Sequence, residues 1–179
     1  KTIKENPNKI FIYFSTCSIY DSSKNGSSYV NHKLKMEQIV EELANQFLIL
    51  RVSNAVGKGG NPNLLMNYLV NAFHQEKEIT VHTLATRNLI DADDVKNITL
   101  KFINENNFNK IINVAYLENF STIQILEILE KHFNKTAKTY LVKSGQSYLI
   151  SIPEAEAYFA ENKLTEKKEY LLRIIKRYY

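Results

Sequence analysis

The chain has 179 residues, 44% hydrophobic and 23% charged, with a net charge of +4. These are the proportions of a globular protein with room for one domain, or for two lobes sharing a core, and not of a disordered chain. The 23 basic residues are dispersed, which argues against a nucleic-acid partner. No apolar run approaches the ~18 residues of a membrane span, nothing at the start resembles a signal peptide, and the lone Cys17 excludes an internal disulfide and suits a reducing cytoplasm.

Residues 9–16 (KIFIYFST) form a nearly continuous β-branched and aromatic run, the pattern of a strand buried on both faces in a parallel sheet. Asp21–Ser28 is turn chemistry centred on Asn25-Gly26. A helix is predicted from about Ser28 to Gln46, with Leu34, Ile39, Val40 and Leu43 on its buried face. Phe47–Val52 reads as a second buried strand. Gly57–Pro62 is a loop holding three of the five glycines. Leu64–Phe73 reads as helix, Glu78–His82 as a short strand, and Asn88–Ala92 as a strand leading into a helix over 93–104. Lys110–Ala115 is a strand. Ser121 is placed as the N-cap of a helix through Phe133. A strand over Tyr140–Val142 and helices near 153–161 and 165–178 close the chain. Strands alternating with long helices predict an α/β fold with a mainly parallel sheet.

Two Tyr-x-x-x-Lys matches occur, close to the one expected by chance, so context must separate them. Tyr20–Lys24 spans a Ser/Asn/Gly turn. Tyr29–Lys33 lies on the first turns of a helix, where residues four apart share a face. A free tyrosine has a pKa of about 10, and a neighbouring ammonium favours the phenolate, giving a group that can move protons. The hydroxyls of Ser15-Thr16-Cys17-Ser18 end the first strand, and ligands of open parallel sheets bind beyond the carboxyl ends of strands. Taken singly, any of these hydroxyls is better explained as satisfying backbone groups.

Together these segments resemble the active-site stretch of the extended short-chain dehydrogenases/reductases, the NAD-dependent epimerases, dehydratases and reductases of nucleotide sugars. The stretch here is Ser-Thr-x-Ser-Ile-Tyr, then Ser-x-Tyr-x-x-x-Lys-x-x-x-Glu. Further segments follow in the family's order: Leu50-Arg51-Val-Ser-Asn54-Ala-Val-Gly57, Pro62-Asn63-Leu-Leu-Met-Asn-Tyr68, Arg87-Asn-Leu-Ile-Asp91-Ala-Asp93-Asp94-Val95 and Ile112-Asn-Val-Ala115.

The resemblance implies the second half of a Rossmann-type parallel sheet (1–57 and 88–116) plus a small α/β substrate-binding lobe (58–87 and 117–179). It implies Tyr29 as the catalytic acid/base and Lys33 on the nicotinamide ribose, both touching an NAD or NADP cofactor. Thr16 would polarise the reacting oxygen. Asn54, Asn63 and Arg87 would contact the nucleotide part of a nucleotide-sugar substrate, Arg87 through its planar fork of donors.

The remaining polar residues are read structurally. Asp91, Asp93 and Asp94 belong to a helix N-terminus rather than to a metal site. The four histidines are expected at the surface. Cys17 is expected to be a small buried thiol, and the stripe Leu171, Ile174, Ile175 and Tyr178 to be core.

The sequence also departs from the family. Its Gly-x-x-Gly-x-x-Gly turn, the pyrophosphate cradle, is absent, so the chain is expected to be part of a longer protein and inactive alone. Only 13 positions take Thr16 to Tyr29, a shortened loop that would open the sugar pocket or leave it to be filled from elsewhere. Cys17-Ser18 stand where the dehydratases carry Asp-Glu, which argues against a 4,6-dehydratase. The reading is therefore an NAD(P)-dependent epimerase acting at a sugar carbon, C4 for preference. Its alternatives are a 4-keto-sugar reductase and a non-catalytic binding remnant. A cytoplasmic homodimer, with Leu34, Met36 and Leu43 contributing, is the expectation for the complete protein.

Overall fold

The computed structural model describes residues 1–179. After a short helix α1 (Thr2–Glu5), the chain forms β1 (Ile10–Thr16), two 3-10 turns, α2 (Ser28–Leu43) and β2 (Gln46–Val52). Next come β3 (Asn54–Val56), α3 (Leu65–His74), β4 (Ile79–His82), β5 (Thr86–Arg87), β6 (Leu89–Asp91) and α4 (Ala92–Asn104). The last elements are β7 (Lys110–Val114), β8 (Phe120–Ser121), α5 (Thr122–Phe133), β9 (Thr139–Val142), α6 (Pro153–Glu161) and α7 (Lys167–Tyr178).

β1, β2 and β7 make a parallel sheet in that order, with Ser15 opposite Arg51 and Thr16 opposite Val52. Two further pairs, β3 with β6 and β4 with β9, are also parallel, and only the short β5–β8 pair is antiparallel. The sheet shows why β2 reads as unbroken apolar sequence. Leu48 and Leu50 enter the main core with Ile112 and Val114, while Phe47 and Ile49 face α2 with Val40. Side chains alternate faces along a strand, so a strand covered on both sides must be apolar throughout.

The main core is one cluster that runs from the sheet through α3, α4 and α5 to α6 and α7. Leu171, Ile174 and Ile175 are fully buried in it, as the stripe predicted, and Tyr178 packs against it. Residues on both sides of the expected lobe division therefore share one core.

The helix carrying Tyr29 differs from expectation. It stops at Leu43, because Gln46 is already paired with Ile10 in the sheet. Leu34 and Leu43 are exposed and Ile39 only half-buried, whereas Val30, Glu37 and Val40 are buried. A carboxylate occupies the seam that hydrophobicity assigns to leucine. The groups that neutralise it come from β1 and β2, which no local pattern reveals.

Asp91 caps α4 through the Asp93 N–H at 2.9 Å, and Asp93 and Asp94 lie in its first turn, as the dipole argument requires. Ser121 caps α5 in a reciprocal capping box with Gln124. His32, His74 and His82 are exposed; His132 is half-buried, edge-on to Phe133. No helix is long and apolar enough to cross a membrane.

Candidate active site

β1 ends at Thr16, and the chain turns at once into a 3-10 helix. Thr16 starts that turn by accepting the Ser18 N–H on Oγ1 at 3.1 Å. The next turn is capped by the buried Asp21, which takes the Ser23 N–H and hydroxyl. Ser27 then caps α2 through the Val30 N–H, so Tyr29 is the second residue of a regular helix. The route from Thr16 to Tyr29 is thus two tight turns and a capped helix.

Thr16, Ser18 and Tyr29 line one cleft of about 400 Å³ with Asn54, Asn67 and Tyr148. Much of the remaining lining is apolar: Val56, Leu64, Leu65, Met66 and Leu89. Gly57 and Gly59 border it, and a Cβ on Gly57 would sit 2.9 Å from that of Ala92. Tyr29 is 53% exposed, a ring standing at the cleft mouth rather than in the core.

Lys33 lies one turn further along α2. Its Nζ is 5.9 Å from the centre of the Tyr29 ring and 4.9 Å from that of Tyr13, and it donates to the Phe14 carbonyl at 2.8 Å. The ammonium therefore stands at the end of β1 between two aromatic faces, a favourable setting for a cation.

Behind this pair lies a buried polar network. Glu37, one turn beyond Lys33, accepts from Ser15 Oγ at 2.5 Å and from Arg51 Nη2 at 2.6 Å. The hydrogen bond to Glu37 raises the Arg51 pKa above its ordinary value. Arg51 Nη1 also donates to the Tyr20 hydroxyl, which donates to Asn113. Tyr20, the tyrosine of the rejected Tyr-x-x-x-Lys match, thus belongs to the support of the site. Cys17 Sγ donates to the Arg51 carbonyl, and burial pushes its pKa up to about 12, so the thiol is no acid or base at neutral pH.

Of the other expected contacts, Asn54 lines the cleft, its amide donating to the Asn88 carbonyl at 2.8 Å. Asn63 lies in the exposed Asn61–Leu64 turn, and the asparagine that lines the cleft on this side is Asn67. Arg87 does not line it; Nη1 donates to the carbonyls of Thr86 and Gln146. That second bond holds the 143–151 segment, which Thr86, Asn119 and Asn113 also grip, Asn119 through the Tyr148 carbonyl at 2.6 Å. The segment delivers Tyr148 to the cleft beside Thr16. Sequence reading missed Tyr148, because it follows no helix or strand period; the only hint was the shortness of the Thr16–Tyr29 loop.

The profile of the NAD-dependent epimerase/dehydratase family matches residues 1–115, nearly two thirds of the chain. The chain belongs to this family. Among solved structures it is similar to UDP-glucuronic acid 4-epimerase from Bacillus cereus, in complex with UDP-glucuronic acid and NAD. That match has 20% identity and a TM-score of 0.73, over 96% of this chain and 65% of the other. It is also similar to dTDP-glucose 4,6-dehydratase from Bacillus anthracis in complex with NAD (15%, TM-score 0.72, 99% and 66%). A third similar structure is UDP-N-acetylglucosamine 4-epimerase from Bacillus cereus (16%, TM-score 0.64, 90% and 64%). At these identities the structures establish a shared Rossmann-like fold, and this epimerase/dehydratase chain spans about 65% of the length of the first. No curated protein matches it.

Proposed function

We propose that this chain is the C-terminal part of an NAD(P)-dependent nucleotide-sugar 4-epimerase. The observation that carries the reading is the convergence of the Thr16 hydroxyl and the Tyr29 phenol on one cleft, with the Lys33 ammonium a helical turn behind. Family membership and the fold of the similar structures support it.

Tyr29 takes the proton of the sugar hydroxyl as the ketone forms and returns it when the alcohol is rebuilt. Thr16, with Oγ1 accepting from Ser18 N–H, has its own proton free to donate to the same sugar oxygen. Lys33 and Tyr29 fit the ribose end of a nicotinamide cofactor, an ammonium and a phenol side by side at the end of β1. The chain's own glycine cluster, Gly57–Gly60, follows β3 instead of joining a first strand to a helix, so it does not offer the family's pyrophosphate cradle. A bound cofactor would supply the acceptor and donor of hydride; the protein's part is to place and polarise the carbinol. Asn54, Asn67 and the apolar lining receive the nucleotide portion. Arg87, which does not line this cleft, steadies the 143–151 segment that carries Tyr148. The outer face of α2, where Leu34 and Leu43 are exposed, is the natural homodimer contact of the complete protein.

Cys17, the residue after Thr16, holds its proton at neutral pH and donates it to the protein backbone, which disfavours dehydration as the outcome. The test is the complete protein with NAD and UDP-sugars, followed by NMR. Interconversion of C4 epimers without net NADH is expected, with Tyr29→Phe lowering kcat by about 10²–10⁴-fold. Full activity in that variant overturns the mechanism, and stoichiometric consumption of reduced cofactor turns the reading to a reductase.

A further inference from the structure

Two aromatic rings in the cleft, Tyr148 and Tyr179, have no place in that chemistry, and Tyr179 is the one placed by a helix. Tyr179 directly follows α7 and continues its last turn, its N–H donating to the Ile175 carbonyl at 3.0 Å. α7 is firmly held. Leu171, Ile174 and Ile175 are fully buried, Tyr170 and Arg173 bind Asp94, and Tyr178 binds Asp91 at 2.6 Å. The place of Tyr179 is therefore set by an anchored helix and not by a loop.

Its hydroxyl is committed as well. It donates to Asn67 Oδ1 at 2.5 Å, and the Asn67 amide in turn donates to the carbonyls of Gly59 and Asn61. Three segments, the end of α7, the first turn of α3 and the glycine loop, are joined through one asparagine. With its polar tip satisfied there, what Tyr179 adds to the cleft is a fixed, flat, apolar surface beside Leu64, Leu65 and Met66.

The cleft combines two kinds of lining. The end of β1, the turn after it and α2 contribute hydroxyls at Thr16, Ser18 and Tyr29, whereas the start of α3 and the end of α7 contribute aliphatic side chains and the Tyr179 ring. A nucleoside diphosphate sugar combines the same two chemistries, with a hydroxyl-rich sugar at one end and a flat base with an apolar face at the other. We propose that Tyr179 is the surface on which the nucleobase packs, its place set by the anchored α7. This rests on the nucleotide-sugar reading above and deepens it, because it assigns the base to a side chain far in sequence from every motif of the catalytic stretch.

The experiment uses the complete protein with NAD bound and three probes: UDP, UDP-glucose and glucose 1-phosphate, which has no base. Aromatic–base stacking is worth about 1–3 kcal/mol, so Tyr179→Leu should weaken UDP and UDP-glucose alike, by about tenfold in calorimetry. Tyr179→Phe, which keeps the ring, should stay within about threefold, and glucose 1-phosphate should be indifferent to both. A measurement free of mutation accompanies these: contacts between the Tyr179 ring protons and uracil H5 and H6 in the NMR spectrum of the wild-type complex. Bound UDP without those contacts, or a folded leucine variant with wild-type UDP affinity, overturns the assignment and leaves the nucleotide-sugar reading standing. A wild-type protein that binds neither UDP nor UDP-glucose overturns both.

Discussion

Arg51 of β2 grips the buried Glu37 of α2 with two donors, Nη2 to Oε2 at 2.6 Å and Nε to Oε1 at 3.1 Å. Ser15 of β1, opposite Arg51 in the sheet, adds a third bond to the same carboxylate. Glu37 is on the helix face that carries Lys33, and Ser15 immediately precedes Thr16. The network therefore sets the rotation of α2 against the strand ends, and with it the approach of Tyr29 to Thr16.

Removing one member of a buried ion pair leaves the other uncompensated, at a cost of about 3–5 kcal/mol. Glu37→Ala is expected to lose that much in urea unfolding, while Glu37→Gln, which can still accept from Ser15, loses less. In a double-mutant cycle, Arg51→Met should recover part of the loss of Glu37→Ala. An additive double mutant would show that the two side chains do not act as a unit.

Asp94 and Asp93 are adjacent on α4 and should respond very differently. Asp94 is buried and accepts from Tyr158 and Tyr170, each at 2.8 Å, and from Arg173 at 2.5 Å. Asp94→Ala is expected to cost about 3–5 kcal/mol by stranding that cluster. Asp93 lies at the surface, where its hydrogen bond with Lys96 and its pairing with Arg177 lower its pKa. Asp93→Ala should change stability far less, because water screens its pairings and replaces them when they are lost. Chemical unfolding of the two variants side by side is the check.

Gly145 sits at φ +123°, and a Cβ there would come within 2.5 Å of the Ala85 nitrogen. Gly145→Ala must therefore strain the backbone and push the 143–151 segment off β5, at a cost of about 2 kcal/mol or more. Gly26 also has positive φ, at +72°, but open space around it. Gly26→Ala should cost only about 1–2 kcal/mol. Because Gly145 is close to Tyr148, its variant alone should also weaken nucleotide-sugar binding; equal binding by both would detach the segment from the cleft.

Stability should fall at alkaline pH. Burial raises the pKa values of Tyr116, Tyr158 and Cys17 to about 12 in the fold. Below about pH 8 both folded and unfolded chains keep these protons, so stability is flat. Above it the unfolded thiol, and from about pH 10 the unfolded phenols, release protons that the fold retains. Stability is then lost progressively until the pH passes the folded values. Tm measured from pH 8 to 12 should drop; a Tm rising across that range would contradict the burial of these groups.

The sheet strands and most helices could be read from sequence because each is dictated by near neighbours. A doubly covered strand must be apolar throughout, as Phe47–Leu50 is, and an amphipathic helix must repeat every three to four residues, as Leu171–Tyr178 does. The placement of Tyr29 and Lys33 one turn apart on a helix, and of Thr16 at a strand end, was legible for a related reason: helix spacing and a strand end fix local geometry whatever surrounds them. What the wider fold decided is of another kind. Glu37 could displace Leu34 and Leu43 from the seam of α2 because two other strands supply its partners. Tyr148 and Tyr179 reach the cleft on distant segments, and Arg87 is turned toward a carbonyl 59 residues away. Local pattern records which faces must avoid water; which charges and rings meet across the chain depends on contacts between remote residues, and those exist only once the core has closed.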